Sequence, residues 1–127
     1  MPLGAWEQHG NHLPPATDTL IITAVASSAV ASVPGVILAP TLPVTASDEH
    51  RGFGATLSIG TEAFASSVVA IARSATWAAG VLFVNGHGGN LDALRDAVGL
   101  LRDESRDVAW CACSVVGADS HAGHTET

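Results

Sequence analysis

The fold class is decided by the segment VLFVNGHGGNLDALRDAVGLLRDE, residues 81–104 of a chain of 127 residues. It begins with an unbroken apolar run at residues 81–84, which is typical of a central strand in a parallel sheet, where both faces are buried. After a glycine-rich turn, apolar residues recur at helical spacing: Leu91, Leu94, Val98 and Leu101. A buried strand that leads into an amphipathic helix predicts an α/β protein.

The remaining segments predict the same alternation of strands and helices. Strands are predicted at residues 2–6, 36–39, 56–59 and 108–116, and helices at residues 17–33, 61–79 and 91–104. The first helix is rich in Ala, Ile and Val and is predicted to be buried, and the second is predicted to end against Gly80. We therefore expect one domain over residues 1–127, an α/β three-layer sandwich with a mainly parallel sheet.

The two ends of the chain suggest a truncated domain. The first predicted strand begins almost at Met1, and the chain stops at Thr127 within a segment that looks like a motif. A sheet that ended there would leave an unpaired edge and uncovered apolar helix faces. The charged fraction of 13% is also low for a small monomer, so we expect missing chain or the subunits of a homo-oligomer to cover part of the surface.

The charge balance of 12 acidic to 5 basic residues, without any lysine, argues against nucleic acid and anionic membranes as partners. The N-terminus has neither the basic nor the apolar region of a secretory signal, so we expect a cytoplasmic protein. Cys111 and Cys113 are separated by one residue on a predicted strand, and we do not expect them to pair. We interpret them as buried apolar residues, with metal ligands as the alternative.

A first cluster of candidate ligands follows the first predicted strand. Glu7 and His9 are two residues apart in extended chain and can point the same way, while Asp18 lies at the start of the next helix. Two carboxylates and one imidazole suit Zn²⁺, Mn²⁺ or Fe²⁺, and a bridging carboxylate is what a two-metal site requires. Alternatively, Asp18 beside Thr17 only caps the helix.

A second candidate is His87, in the glycine-rich turn at residues 85–90. Open α/β sheets bind their ligands at the carboxyl ends of parallel strands, which favours a ligand or catalytic role for this histidine. A phosphate-binding loop is the competing interpretation, but the turn matches neither the P-loop nor the dinucleotide pattern. The simplest alternative is a tight turn in which His87 is incidental.

A third cluster lies near the C-terminus, at residues 119–126. His121 and Glu126 follow the predicted strand 108–116 and could supply a metal ligand and a general acid or base. Taken alone, this segment is typical of a polar chain end. All three clusters fall at the same edge of the predicted sheet, however, and this coincidence strengthens each of them.

In their order along the chain, these motifs resemble the successive signatures of the creatininase family. The matching segments cover nearly the whole chain: residues 7–10, 12–14, 17–18, 49–50, 56–60, 85–90, 121–123 and 125–127. A narrower resemblance is to the actinobacterial branch of the family that trims the mycofactocin precursor peptide, at residues 58–63, 73–76, 83–90, 100–107 and 110–113. The resemblance implies a creatininase-like α/β fold.

The resemblance also implies two divalent metal ions, Zn²⁺, Fe²⁺ or Mn²⁺, and the residues that hold them. Glu7, Asp18 and His87 would hold one ion, and Asp18 would bridge to a second ion that His9 also holds. Creatininase itself carries a glutamate at the position of Gly89, and the resemblance makes Glu126 its expected replacement.

For the chemistry, the resemblance implies hydrolysis of a C–N amide or peptide bond, with His121 and Glu126 as catalytic residues and His121 as the proton carrier. The substrate would be a small peptide or amide, most narrowly the mycofactocin precursor peptide, which would lose a C-terminal dipeptide. Creatinine hydrolysis and deformylation of a formamide are the alternatives within the family. A truncated, non-catalytic metal-binding fragment is the alternative of another class.

Overall fold

The computed structural model describes residues 1–113 of the chain, which fold around a short parallel sheet. Its strands are β1 (Pro2–Leu3), β2 (Val81–Asn85) and β3 (Val108–Ala112), in the spatial order β1-β2-β3. Pro2 pairs with Val84, and Phe83 pairs with Trp110. The predicted central parallel strand is therefore confirmed, because β2 has a parallel neighbour on each side.

Three helices cover both faces of this sheet: α1 (Thr17–Ala31), α2 (Gly60–Ser74) and α3 (Leu91–Asp103). Phe83 of β2 is fully buried in one core with Phe64 of α2 and Leu94 of α3. Gly86, which faces the opposite side, leaves room for α1, since a Cβ atom added there would lie 2.7 Å from Cβ of Ile22. The α/β architecture with a parallel sheet and a layer of helices on each face is confirmed.

The first helix differs from its prediction. It ends at Ala31, and only Ile22 and Ala26 are buried. Leu20 and Ile21 are 58% and 52% exposed, because apolar residues surround the helix while only one narrow side meets the sheet.

Among residues 1–113, none of the helices has the length and hydropathy of a membrane span.

The prediction of a strand at residues 36–39 is wrong. This segment is irregular in the structure and Ile37 is 73% exposed. Prolines flank it at positions 34 and 40, and proline cannot donate to a sheet ladder. The chain instead meets the sheet at Leu42, whose N–H donates to the carbonyl of Pro2 over 3.1 Å.

Two further predicted strands are shorter than expected. The strand at residues 2–6 is reduced to Pro2–Leu3. The strand at residues 56–59 is reduced to one antiparallel bridge between Leu57 and Trp6. For β3, the described part ends at Ala112, and the predicted continuation to residue 116 lies outside residues 1–113.

The second helix ends at Ser74, five residues before its predicted end. Its last turn tightens, because the N–H of Ala75 donates to the carbonyl of Ala72, three residues back. Gly80 therefore does not close the helix. It allows close packing against β3, since a Cβ there would lie 3.0 Å from the carbonyl oxygen of Asp107.

The two cysteines are not buried as predicted. Cys111 is exposed and Cys113 is half-buried. Cys111 pairs with Val84 and so lies on the α1 face of the sheet, where α1 packs against β1 and β2.

Candidate metal centre

Three side chains from distant segments meet at the carboxyl ends of β1 and β2. They are Glu7, which follows β1, Asp18 in the first turn of α1, and His87, which follows β2. One possible ligand atom from each lies within 4.8 Å of the others. Nδ1 of His87 is 3.3 Å from Oε1 of Glu7 and 3.1 Å from Oδ2 of Asp18. These three candidate ligands, predicted from separate motifs, thus lie together.

The start of α1 is held against the segment after β1, and this contact brings Asp18 to Glu7. The hydroxyl of Thr19 accepts a hydrogen bond from the N–H of Ala5 over 3.2 Å and donates to its carbonyl over 3.0 Å. Gly4 permits the approach, because a Cβ there would lie 2.7 Å from Cα of Thr19. The N–H of Glu7 also donates to the carbonyl of Pro15 over 3.0 Å.

Asp18 is not a helix cap. The N-cap residue of α1 is Ala16, which makes no side-chain capping hydrogen bond. The Asp18 carboxylate instead lies between two imidazoles, with Oδ1 3.0 Å from Nε2 of His9 and Oδ2 3.1 Å from Nδ1 of His87. Each carboxylate oxygen of Asp18 thus faces a different imidazole, as is required of a carboxylate that bridges two metal ions.

The orientation of the His87 ring is fixed by the backbone. Nε2 lies 3.0 Å from the carbonyl oxygen of Ala46. A carbonyl only accepts, so Nε2 carries the donated hydrogen and Nδ1 faces Glu7 and Asp18. Metal-bound histidines show this pattern, with one ring nitrogen on the ion and the other donating to a carbonyl.

The two asparagines of the glycine-rich turn hold its backbone in place. The Asn85 side chain donates to the carbonyl of His87 over 2.7 Å and accepts from its N–H over 3.3 Å. Asn90 is fully buried, donates to Oδ1 of Asn85 and accepts from the N–H of Ala46. The N–H groups of His87 and Asn90 are thus bonded within the turn, which holds the backbone of His87 in place.

His9 lies beside the cluster in a similar setting. Its Nδ1 is 2.9 Å from the backbone carbonyl of Glu7, which leaves Nε2 facing Asp18. Within residues 1–113, His9 does not complete a group of three ligand atoms. His121 and Glu126 lie outside the described residues, so their predicted roles stay predictions.

Burial and the neighbouring charges together shift the pKa of all three residues. Burial raises the pKa of the Glu7 carboxyl, and the nearby imidazoles of His87 and His50 only partly oppose this. Burial also acts to raise the pKa of Asp18, but hydrogen bonds and charge from His87 and His9 outweigh it and hold the pKa below its ordinary value. Burial acts to lower the pKa of His87, yet Asp18 and Glu7 raise it overall.

Glu49 and His50 were not predicted as site residues. They lie in the 3₁₀ turn Asp48–His50, where Nε2 of His50 is 3.6 Å from Oε2 of Glu7. Oε1 of Glu49 is 3.4 Å from Nε2 of His87. In the sequence they contributed only to the family resemblance. The available signal was an acidic residue next to a histidine in an irregular, polar segment, but nothing local tied that segment to Glu7.

The described residues fit a divalent ion by their donor chemistry. Two carboxylates and an imidazole surround one point, as Zn²⁺, Mn²⁺ and Fe²⁺ require. In addition, Oε2 of Glu7 is buried and has no hydrogen-bond partner among residues 1–113, which indicates an unmet need for positive charge.

Comparison with known proteins gives the family. The family model for creatininase, described as creatinine amidohydrolase, matches residues 1–127. A curated relative named mycofactocin precursor peptide peptidase, from Mycobacterium tuberculosis, is 51% identical over 137 residues, covering 100% of this chain and 55% of the relative. The protein of the same name from Mycobacterium ulcerans is 50% identical over 136 residues, covering 100% and 54%. The chain thus spans about half the length of the curated relatives it matches.

Solved structures agree with this assignment. The crystal structure of creatinine amidohydrolase (creatininase) superposes with a TM-score of 0.78 at 26% identity, covering 87% of this chain and 48% of that one. A creatininase mutant of the Zn-Zn type gives a TM-score of 0.76 and a manganese form gives 0.69, both at 26% identity and 87% and 48% coverage. The family match over the whole chain and the shared fold lead to one conclusion: the chain belongs to the creatininase family.

Proposed function

We propose that this chain carries the metal centre of an amidohydrolase that trims a C-terminal dipeptide from the mycofactocin precursor peptide. The observation that carries the proposal is the buried cluster of Glu7, Asp18 and His87, whose donor atoms converge on one point. The substrate follows from the relatives of about 50% identity that are named for this peptidase. The protein is therefore proposed to hydrolyse C–N amide bonds.

The proposed cofactor is a pair of divalent ions, Zn²⁺, Fe²⁺ or Mn²⁺. Glu7, Asp18 and His87 would hold the first ion, and His9 would hold the second together with Asp18 and Glu126. When bound, such ions polarise the scissile carbonyl and activate water for attack. Zinc and manganese forms of creatininase among the similar structures support Zn²⁺ and Mn²⁺ as candidates.

The protein residues prepare the centre for this reaction. The carbonyl of Ala46 fixes the His87 ring, and the carbonyl of Glu7 fixes the His9 ring, so both imidazoles present their other nitrogen to the carboxylates. We propose that His121 donates the proton that the leaving nitrogen needs when the C–N bond breaks.

The proposed partners are a small peptide or amide substrate and further copies of the chain. A homo-oligomer is supported by the large exposed apolar residues on α1 and the segment after it, among them Leu20, Ile21 and Ile37. Neither nucleic acid nor a membrane is proposed, given 5 basic against 12 acidic residues. We propose a cytoplasmic location.

The substrate test is a direct comparison of three amides. The protein is incubated with Fe²⁺, Zn²⁺ or Mn²⁺ and with the modified precursor peptide, creatinine or a formamide, and products are identified by mass spectrometry. We expect the peptide to lose two residues and the other substrates to remain intact. Conversion of creatinine or the formamide alone would favour the alternatives within the family. Metal binding without any product would favour a non-catalytic fragment.

The metal test is elemental analysis of two variants after dialysis against the metal. We expect about two equivalents per chain from this two-metal centre, because a bridging carboxylate serves two ions. Asp18→Ala should lose the bound metal, since its carboxylate contacts both His9 and His87. Asn11→Pro, in an exposed turn, should retain it. Equal metal contents in the two variants would contradict the assignment of Asp18.

A further inference from the structure

The two carboxylate oxygens of Glu7 face different neighbours. Oε1 lies 3.3 Å from Nδ1 of His87, on the side of the first cluster. Oε2 lies 3.6 Å from Nε2 of His50, on the other side. The Glu7 side chain is only 6% exposed, and Oε2 makes no hydrogen bond to any described residue. Leaving a buried charged oxygen without a partner is costly, so this oxygen indicates a cation.

Glu49 and His50 complete a second set of donors around this oxygen. One ligand atom from each of Glu7, Glu49 and His50 lies within 4.8 Å of the other two. Both new donors come from one short turn, Asp48–His50, so a single backbone element places them. The Glu49 side chain is 50% exposed, which gives an ion a path from solvent to the buried Glu7.

The arginine nearest in sequence does not supply a positive charge to this oxygen. Arg51 pairs with Asp48 at 2.8 Å. A buried carboxylate oxygen without a partner favours a bound cation instead.

Gly89 leaves the space that the Glu49 carboxylate uses. A Cβ atom on Gly89 would lie 2.4 Å from Oε1 of Glu49 and 2.6 Å from the carbonyl oxygen of Ala46. The second contact is to backbone, which cannot move aside as a side chain can. In this backbone arrangement, a carboxylate next to His87 therefore comes from Glu49 and not from position 89.

We propose that Oε2 of Glu7, Glu49 and His50 bind a divalent cation at a position separate from the His9–Asp18 pair. The proposal deepens the proposed function and rests on it, because Glu7 is shared with the first cluster. Two carboxylates and one imidazole suit Zn²⁺, Mn²⁺ or Fe²⁺. The described residues then supply two overlapping ion positions that are joined by Glu7. The second of them is additional to the two-metal centre proposed above, so the unsubstituted protein should bind a third equivalent.

The test measures metal content, which does not depend on activity. Glu49→Gln and His50→Gln are dialysed against Zn²⁺ or Mn²⁺ and their metal is counted by mass spectrometry, with titration calorimetry for affinity. Each should lose one equivalent, or bind it at least about tenfold more weakly, as expected when a metal site is disturbed. Glu62→Gln and His12→Gln, both exposed and outside the two clusters, are the matched controls and should bind as the unsubstituted protein does.

Separation from the His9 position is tested by combining variants. His9→Gln with His50→Gln should lose one equivalent more than either single variant. Unchanged metal in both Glu49→Gln and His50→Gln, or a double variant that loses no more than His9→Gln, overturns the proposal. Should His50→Gln fail to fold, the half-exposed Glu49→Gln decides. A protein that binds this ion but hydrolyses no amide would contradict the proposed function and leave this cation site supported.

Discussion

Glu7 belongs to both candidate groups of metal ligands, and its burial has a cost in the metal-free protein. Because burial raises its pKa, the ionised carboxylate is less favourable in the folded chain than in the unfolded chain. A raised pKa favours folding at low pH and costs stability as the pH rises through the folded-state value. Above that value the metal-free protein carries an unfavourable charge that a bound cation would relieve.

We predict that Glu7→Gln stabilises the metal-free protein at pH 7 by roughly 1 kcal/mol, a usual gain when a functional residue is relieved of strain. The gain should shrink as the pH falls and Glu7 becomes protonated in the unsubstituted protein. Urea unfolding in the presence of a chelator measures both effects. Metal binding should be lost in the same variant.

For Asp18→Asn we predict the opposite change in the free energy of unfolding. The imidazoles of His87 and His9 hold the pKa of Asp18 low, so its ionised form contributes stability above the unfolded-state pKa and loses it as the pH falls through the folded-state value. Asp18→Asn should thus destabilise the metal-free protein at pH 7. If both substitutions changed stability in the same direction, the opposite pKa shifts of Glu7 and Asp18 would not account for it.

For single residues, the sequence allowed us to predict the candidate ligands that lie next to a strand or a helix. Glu7, Asp18 and His87 could be assigned because each follows a strand or begins a helix, and parallel strands end at one edge of a sheet. Glu49 and His50 could not, because an irregular segment has no periodicity that says where it packs. Their place depends on the approach of the Ala46 carbonyl to His87, a long-range contact that only the folded chain shows.

At the scale of single elements, the turn between β2 and α3 contains a glycine that is required by close packing and not by its backbone angles. Gly88 and Gly89 are neighbours in the 3₁₀ turn Gly88–Asn90. A Cβ on Gly88 would meet nothing within 4 Å, whereas one on Gly89 would meet the Ala46 carbonyl at 2.6 Å and Nε2 of His87 at 2.5 Å. Substitution by alanine at Gly88 and at Gly89 is therefore a matched comparison, in which only the second position lacks space.

We predict that Gly89→Ala destabilises the protein by about 1–3 kcal/mol, because the backbone at Ala46 has to shift. The same shift should weaken metal binding, since that carbonyl orients His87. Gly88→Ala should change the free energy of unfolding by less than about 0.5 kcal/mol. Thermal or urea unfolding measures the difference, and equal losses in the two variants would contradict it.

Elements whose burial pattern is visible in their own sequence were predicted well, and elements that depend on distant contacts were not. β2 and α3 were predicted almost to the residue because a buried strand and an amphipathic helix carry their burial pattern in their composition. The segment at residues 36–39 looked like a strand on apolar content alone, yet it forms no strand with any residue of 1–113, and prolines flank it. The early end of α2 at Ser74 depends on a tightened last turn, which has no clear sequence signature.

At the scale of the whole molecule, the proposed metal centre and the exposed apolar surface of α1 lie on different parts of the fold. The centre joins the segment after β1, the start of α1, the turn at Asp48–His50 and the turn after β2, so bound metal would link elements far apart in sequence. The outer side of α1 takes no part in it. Its exposed Leu20, Ile21 and Val25 are an apolar area of the kind that marks protein contacts.

We predict that the protein self-associates and that Ile21→Glu weakens this association. Light scattering after gel filtration should give a multiple of the 12.8 kDa chain mass for the unsubstituted protein, and a smaller mass for the variant at the same concentration. The reason is that a charge buried in an apolar contact without a partner is strongly unfavourable. Ser66→Glu, an exposed position on α2, is the control and should leave the mass unchanged. A monomer at every concentration, or the same mass for both variants, would show that this side of α1 is not a subunit contact.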